Sequence, residues 1–471
     1  MALVTRNSWF LLLAPLLISA CQPGSADKSN DDTDDVVDTG GLADLVFLIT
    51  VDTLNRSFMG AASPWNTTPN IDVLMDEGAY LPNVLVPRGL TTISMASFTT
   101  GLYPRTHGVR ILPAFWEGQW PSLFSRFHEA GYSTFGFSNN QCTFFELSTD
   151  FNFCQHLEER AGGHSQFISD GMMVTKLLEA LDERPQDQPL FVWLHFMDPH
   201  DPYTPHEPYY SEFHPEQYTG DLNTARRDML NMVMRNEREF TEEDRTHLYA
   251  AYASQIRTTD DYIGQVLNYL RDEGLYDDSV IMFGTDHGEE LAVHENYFFH
   301  DCSFYNEVIG TTWILRGPDI PPGVVNENWI SALDVAPTLV ELGGLEWSGE
   351  LEGISRVSEI QGEEINLLPV FFERGSKTAG VISGGFKYMS NPVGEYHTCT
   401  PYVEQADGFD GDVVALYDLE SDPHEMVNVV DDHPALAQEL RTTLCDWVTS
   451  STWEGEEQDR FNPLVQGCLE D

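Results

Sequence analysis

The sequence predicts an α/β protein: a mostly parallel central sheet with helices on both faces, plus a smaller C-terminal α+β subdomain. Three observations carry the expectation. Strand-like apolar runs are continuous rather than alternating, helical patterns fall between them, and several runs end on a polar residue. Continuous runs belong to strands covered on both faces, and alternation with helices implies parallel pairing. The first run, Leu45–Val51, is rich in β-branched residues and ends at Asp52. The second, 189–194, ends at His195, and the third, 279–284, stops just before Asp286. A helix is expected over 70–79, behind Thr68 and Pro69. Another begins at Thr241, whose Thr-Glu-Glu-Asp opening precedes the spacing Leu248, Tyr252, Ile256, Ile263, Leu267, Leu270. From about residue 365 the texture changes: 386–389 and 413–419 read as strands and 434–447 as a terminal helix. In open α/β sheets ligands sit beyond the carboxyl ends of the strands, so Asp52, His195 and Asp286 are expected on one rim.

The chain has 471 residues, 41% hydrophobic and 12% aromatic, ample for a full core. Asp and Glu number 76 against 24 Lys and Arg, a formal charge of −52. Such a surface repels phosphate backbones and excludes nucleic acid as a partner. It also means that an anionic substrate needs a local positive charge.

Arg6 precedes an apolar run over 9–18, followed by Ser19, Ala20 and Cys21. The run is too short to span a bilayer, and the pattern is that of a secretory signal. The quartet Ile18-Ser19-Ala20-Cys21 resembles a bacterial lipobox, so residues 1–20 read as a lipoprotein signal and Cys21 as a lipidated anchor. Gln22 is compatible with outer-membrane sorting, and 21–43, with Asp31, Asp32, Asp34 and Asp35, reads as an acidic tether. The catalytic domain is assigned to 44–364 and the subdomain to 365–471. Setting Cys21 aside leaves six of the seven cysteines, an even number that favours disulfides in an exported chain. Sequence proximity pairs Cys142 with Cys154 and Cys445 with Cys468, leaving Cys302 for Cys399, although other connectivities stay open.

Three segments concentrate chemistry: Val51-Asp52-Thr53, the small-residue stretch from Thr91 to Gly101, and Thr285-Asp286-His287-Gly288-Glu289. Two carboxylates at strand ends, an adjoining imidazole and a hydroxyl in a small-residue turn make a divalent-metal site. An ion there would lower the pKa of the Thr91 hydroxyl and neutralise a bound oxyanion. It would also answer the charge problem. His107 and the cluster Tyr297, Phe298, Phe299, Phe304, Tyr305 read as structural, and His294 reads as a solvated loop residue. His195 reads equally as a support for its strand end.

These segments, together with Thr68-Pro69-Asn70, Thr99-Thr100-Gly101-Leu102-Tyr103-Pro104, His195 to His200, Asp334-Val335-Ala336-Pro337-Thr338 and Leu416-Tyr417-Asp418-Leu419, resemble the sulfatase family of the alkaline phosphatase superfamily. The resemblance implies that Asp52, Asp286, His287 and Thr91 hold a metal ion and that Thr91 is the nucleophile. It implies further that Asn140 donates to the bound oxyanion, His200 protonates the leaving oxygen, and His300 lies near the anion. Thr91 stands where sulfatases carry the Cys or Ser that becomes formylglycine, and Met95 stands in place of the signature Arg, so formylglycine chemistry is not expected. His287 replaces the usual Asn, which favours zinc or manganese over calcium. A second ion is considered on Asp198, His200 and His300. The resulting expectation is an exported hydrolase of a small-molecule, glycan or lipid ester. The family favours a sulfate ester, and the Thr91 chemistry a phosphodiester or phosphonate. The alternatives are a phosphoethanolamine-type transferase and a catalytically silent ligand-binding lipoprotein.

Overall fold

The computed structural model describes residues 43–109, 120–141, 151–155, 169–222, 227–294, 297–300, 303–374, 378–391, 414–450 and 463–469, with backbone alone at 140–141, 151–155, 463, 466 and 469. The signal, the tether, Cys142, Cys302 and Cys399 lie outside the described residues, as does the side chain of Cys154. Cys445 and Cys468 form the expected disulfide. Among the described residues no helix is long and apolar enough to cross a membrane.

In chain order the strands of the main sheet are β1 (Leu45–Val51), β2 (Ala79–Leu85), β3 (Ser133–Gln141), β4 (Phe151–Gln155), β5 (Leu190–Phe196) and β6 (Ser279–Thr285). After the short hairpin β7 (Glu290–Leu291) and β8 (Phe298–Phe299) come β9 (Gly310–Arg316), β10 (Val324–Val325) and β11 (Ile330–Ser331). The spatial order is β10-β2-β9-β6-β1-β5-β3-β4, with β11 also on β2. Every pairing is parallel except those of β9, which runs antiparallel to β2 and β6. The expected mostly parallel sheet is therefore present. β1, β5 and β6 are buried along their whole length, which is why their sequences do not alternate. One face packs on a cluster including Phe98, Trp193, Trp313 and Leu339, the other on one including Tyr252, Ile263, Leu267 and Phe283.

β2 is not legible in the sequence because Pro82 and Asn83 interrupt it. The structure places them at a register shift between Leu81 and Val84, where a proline costs no ladder hydrogen bond. β5 also runs further than its sequence suggests. His195 lies inside the strand opposite Thr50, whose Oγ1 is 2.9 Å from His195 Nδ1. With that ring nitrogen satisfied, pairing continues to Phe196.

The long helix Glu242–Asp272 starts at a capping box: the Thr241 side chain accepts from Asp244 N while the Asp244 carboxylate accepts from Thr241 N. Burial alone would raise the Asp244 carboxyl, but Arg238, Tyr218 and Thr241 bring it down to about 2. A depressed folded-state pKa contributes stability that is complete above the unfolded value and is lost as pH falls through the folded one. We therefore expect this contribution to disappear between about pH 4 and pH 2, and Asp244→Ala, which removes these hydrogen bonds, to lower stability at pH 7 by about 1 kcal/mol. Thermal melts of the two proteins across that window check both statements.

A second, antiparallel sheet follows: β12 (Val370–Arg374), β13 (Thr378–Ser383), β14 (Phe386–Ser390) and β15 (Val414–Asp418), in that order. Phe372, Ile382, Met389 and Tyr417 join the main core, whereas Val381, Tyr388 and Leu416 pack on Leu440 and Leu444 of the helix Pro434–Ser450. Arg105 ties these parts together. Its Nη2 lies 2.6 Å from Glu373 Oε2, both side chains are fully buried, and its guanidinium stacks on Trp447 at 3.3 Å. Removing one member strands a buried charge, so Glu373→Ala is expected to cost about 3–5 kcal/mol, measured by chemical denaturation.

Candidate active site

Parallel register delivers the first two candidate ligands. Val51 is opposite both Phe196 and Thr285, so Asp52 and Asp286 leave adjacent strands at the same level. Thr53 then turns the chain with φ 56°, a left-handed value that is strained for a β-branched residue. That turn directs its N–H at Asp286 Oδ1, 3.3 Å away. His287 is oriented by its own loop. Its Nδ1 lies 2.9 Å from the Gly288 carbonyl, which places the proton there and leaves Nε2 to accept. Nε2 lies 3.5 Å from Asp286 Oδ2 and 3.8 Å from Asp52 Oδ1.

Thr91 is not in a turn, as its small neighbours suggest, but opens the helix Thr91–Thr100. Leu90 supplies no side-chain cap, so the positive end of the helix dipole lies uncapped at Thr91, beside the cluster. The Ser94 hydroxyl donates to the Asp286 carbonyl and holds the helix against the loop bearing Asp286 and His287. Thr91 Oγ1 thereby sits 3.3 Å from Asp52 Oδ2 and 3.2 Å from His287 Nε2. Met95, at the position of the missing Arg, is buried in the core alongside Phe98 and contributes nothing cationic.

The four side chains nominated from the sequence thus meet. Ligand atoms of Asp52, Asp286 and His287 lie within 4.8 Å of one another, all buried. Asp52 Oδ1 and Asp286 Oδ2 are buried without a hydrogen-bond partner. Two orphaned carboxylate oxygens beside an imidazole lone pair fit a divalent cation, since unpaired buried acceptors of this kind are costly. The protonation pattern agrees. Burial pushes the Asp52 carboxyl up, but the imidazoles of His195, His200 and His287 outweigh it and hold it down. Asp286 is pushed up by burial and then by the charge of Asp52.

The next residues out form a row. The His287 and His300 rings are 4.5 Å apart, and those of His300 and His200 are 5.2 Å apart. Burial, reinforced by His200, pulls His300 down to about 4. Burial also lowers His200, but Asp52 and Asp201 raise it further, so the net direction is up. Glu289 received no role from the sequence, yet it is buried 3.2 Å from His300 Nδ1, and burial pushes it up to about 8. Its place in Asp286-His287-Gly288-Glu289 was the available signal.

Asp198, His200 and His300 do not bring three ligand atoms within 4.8 Å, so the second ion considered there is not supported. Asp198 instead faces His206 at 3.9 Å, and His200 Nδ1 is 2.9 Å from the Asp201 carbonyl. The side chain of Asn140 lies outside the described residues. His107 is structural, bonding Ser97 Oγ and accepting from Val109 N. The five aromatic side chains are buried packing, as expected. His294 is the clear correction: it is buried, not solvated, and stacks on Tyr305 at 3.3 Å.

Fold and site together define an alkaline-phosphatase-like scaffold with an Asp–His cluster that could hold a divalent metal, beside a hydroxyl at the rim of its sheet. Residues 44–345 match the Sulfatase family, and the chain belongs to it. It is 23% identical to the choline-sulfatase of Rhizobium meliloti over 474 residues, covering 88% of each chain. It is 28% identical to arylsulfatase K of Xenopus laevis over 202 residues, a match that spans 37% of that relative's length and 43% of this chain. Among solved structures, a putative sulfatase from Bacteroides thetaiotaomicron superposes with a TM-score of 0.67 at 20% identity, covering 91% of this chain and 99% of that one. A phosphonate monoester hydrolase of Agrobacterium radiobacter gives 0.66 at 19%, covering 86% and 95%.

Proposed function

We propose that the protein is a metal-dependent hydrolase that cleaves a sulfate or phosphate ester with Thr91 Oγ as nucleophile. The observation that carries the reading is the placement of that hydroxyl, within 3.3 Å of Asp52 and 3.2 Å of His287 at an uncapped helix N-terminus. Asp52, Asp286, His287 and Thr91 would hold the ion, and the nitrogen ligand favours zinc or manganese over calcium. When bound, a divalent ion supplies Lewis-acid polarisation of the ester oxygens and a lowered pKa for the Thr91 hydroxyl.

The chain's own residues do the rest. The N–H groups of Thr91 and Thr92, at the head of the helix Thr91–Thr100, receive the ester oxygens and offset the charge developing on them. Thr91 Oγ loses its proton to water and attacks the central sulfur or phosphorus in line, and the ester C–O oxygen leaves with the bonding pair. His200, whose charged form is favoured, delivers a proton to that oxygen. Water then cleaves the threonine ester and restores the hydroxyl.

Family membership and the resemblance to choline-sulfatase support a sulfate ester. A threonine in place of a residue convertible to formylglycine supports a phosphodiester or phosphonate monoester, as does the phosphonate monoester hydrolase fold match. Turnover of paired aryl sulfate and aryl phosphonate substrates decides between them. Mass analysis of the Thr91 peptide is expected to show unmodified or esterified threonine. Cleavage of neither ester with zinc, manganese or calcium removes the enzymatic reading. The sequence around Cys21 supports export and lipid anchoring, and metabolic labelling with a fatty acid that survives in Cys21→Ser would remove that part.

A further inference from the structure

A second group of ionisable side chains lies outside the catalytic cluster. Ligand atoms of Glu290, His294 and Glu307 come within 4.8 Å of one another, all buried. Each side chain is held by bonds that leave one atom facing the other two. Glu290 Oε1 accepts from Val293 N and His294 N, leaving Oε2 3.1 Å from His294 Nδ1. His294 Nε2 donates to the His424 carbonyl at 2.6 Å, which fixes that proton and points Nδ1 inward, and Tyr305 stacks on the ring. Glu307 Oε1 lies 2.7 Å from His424 Nδ1, and its Oε2, 3.8 Å from His294 Nδ1, is buried without a hydrogen bond.

We propose that Glu290, His294 and Glu307 form a second divalent-cation site, distinct from the catalytic one and structural in purpose. The donor set is two carboxylate oxygens and one imidazole nitrogen with a backbone carbonyl behind it, the arrangement that suits zinc or manganese with water completing the shell. Binding exchanges one proton, that on His294 Nδ1, for the ion. The cations near the cluster leave Glu307 Oε2 unbonded: His424 meets Oε1, Lys387 is committed to Glu425 at 2.7 Å, and Arg56 donates to Pro82 O and Asn83 Oδ1 rather than to either ligand carboxylate. A cavity of ≈ 250 Å³ whose lining includes Glu307 and His424 supplies an approach from solvent.

The site would couple three segments that converge there. Glu290 lies three residues after His287, Glu307 lies on the turn Asn306–Ile309, and His424 belongs to the C-terminal part. Contact between the first two is already intimate: Gly288 N donates to the Val308 carbonyl, and a Cβ at Gly288 would lie 2.1 Å from the Glu307 carbonyl oxygen. An ion at this point would pin the loop bearing Asp286 and His287.

The test is metal stoichiometry on the full chain, stripped with chelator, dialysed against zinc and read by elemental analysis. Wild type is expected to retain two ions per chain, Glu307→Gln one, Asp286→Asn one and the double variant none. Retention of one ion by wild type and none by Asp286→Asn overturns this proposal and leaves the catalytic one standing. Two ions in Glu307→Gln overturn it as well. Two ions in Asp286→Asn with one in Glu307→Gln overturn the catalytic site instead. Should the variants fold poorly, zinc anomalous scattering from wild-type crystals separates the same outcomes. A peak between His294 Nδ1 and the two carboxylates supports the site, and its absence when the catalytic peak is present rejects it.

Discussion

Thr91→Val is expected to lower kcat for the best ester substrate by at least ~10³-fold, the scale on which removal of a covalent nucleophile acts. The substitution keeps the branched shape at the head of the helix Thr91–Thr100, so the fold and the two carboxylates below it should be unchanged. Thr91→Ser retains the hydroxyl and is expected to retain most turnover. The pair therefore separates nucleophile loss from distortion. Steady-state kinetics with a parallel zinc determination read the outcome. If valine keeps wild-type rates, Thr91 is only a metal-site neighbour, and water must attack directly.

The second large effect concerns the ion. His287→Ala is expected to abolish catalytic metal binding and reduce kcat/KM by ~10³-fold or more, because both the nitrogen ligand and the acceptor facing Thr91 Oγ1 disappear together. Chelator treatment of wild type should match this loss, and readdition of zinc or manganese should restore it in wild type alone. Activity undiminished in metal-free protein would show that Asp52 and Asp286 serve some other purpose. In that event the opposed shifts of their carboxyls would have to be met by protonation of Asp286.

Much of this arrangement could be read from the chain because the informative residues follow strands whose character is unambiguous. Leu45–Val51 and Ser279–Thr285 are buried throughout around continuous apolar centres, so Asp52 and Asp286 announce where each strand stops. Parallel register then makes them neighbours without further information. What could not be read depended on partners remote in sequence. β2 hides behind Pro82, and its pairing with β9 crosses more than two hundred residues. His294 reads as polar among acidic neighbours, yet Tyr305, Glu307 and the His424 carbonyl bury it, and no local periodicity records that closure. Glu289 fails for the same reason: its environment is supplied by His300 and by burial, not by adjacent residues.

The bond between Arg105 and Glu373, roofed by Trp447, bears on how the polypeptide tolerates shortening. Expression fragments that stop before Pro434 would lose the indole and uncover the apolar face of β13 and β14. Such fragments are expected in inclusion bodies, even though every proposed catalytic side chain precedes the cut. The residues from Pro434 onward are on this view a folding requirement of the whole chain, and engineered versions should preserve them intact.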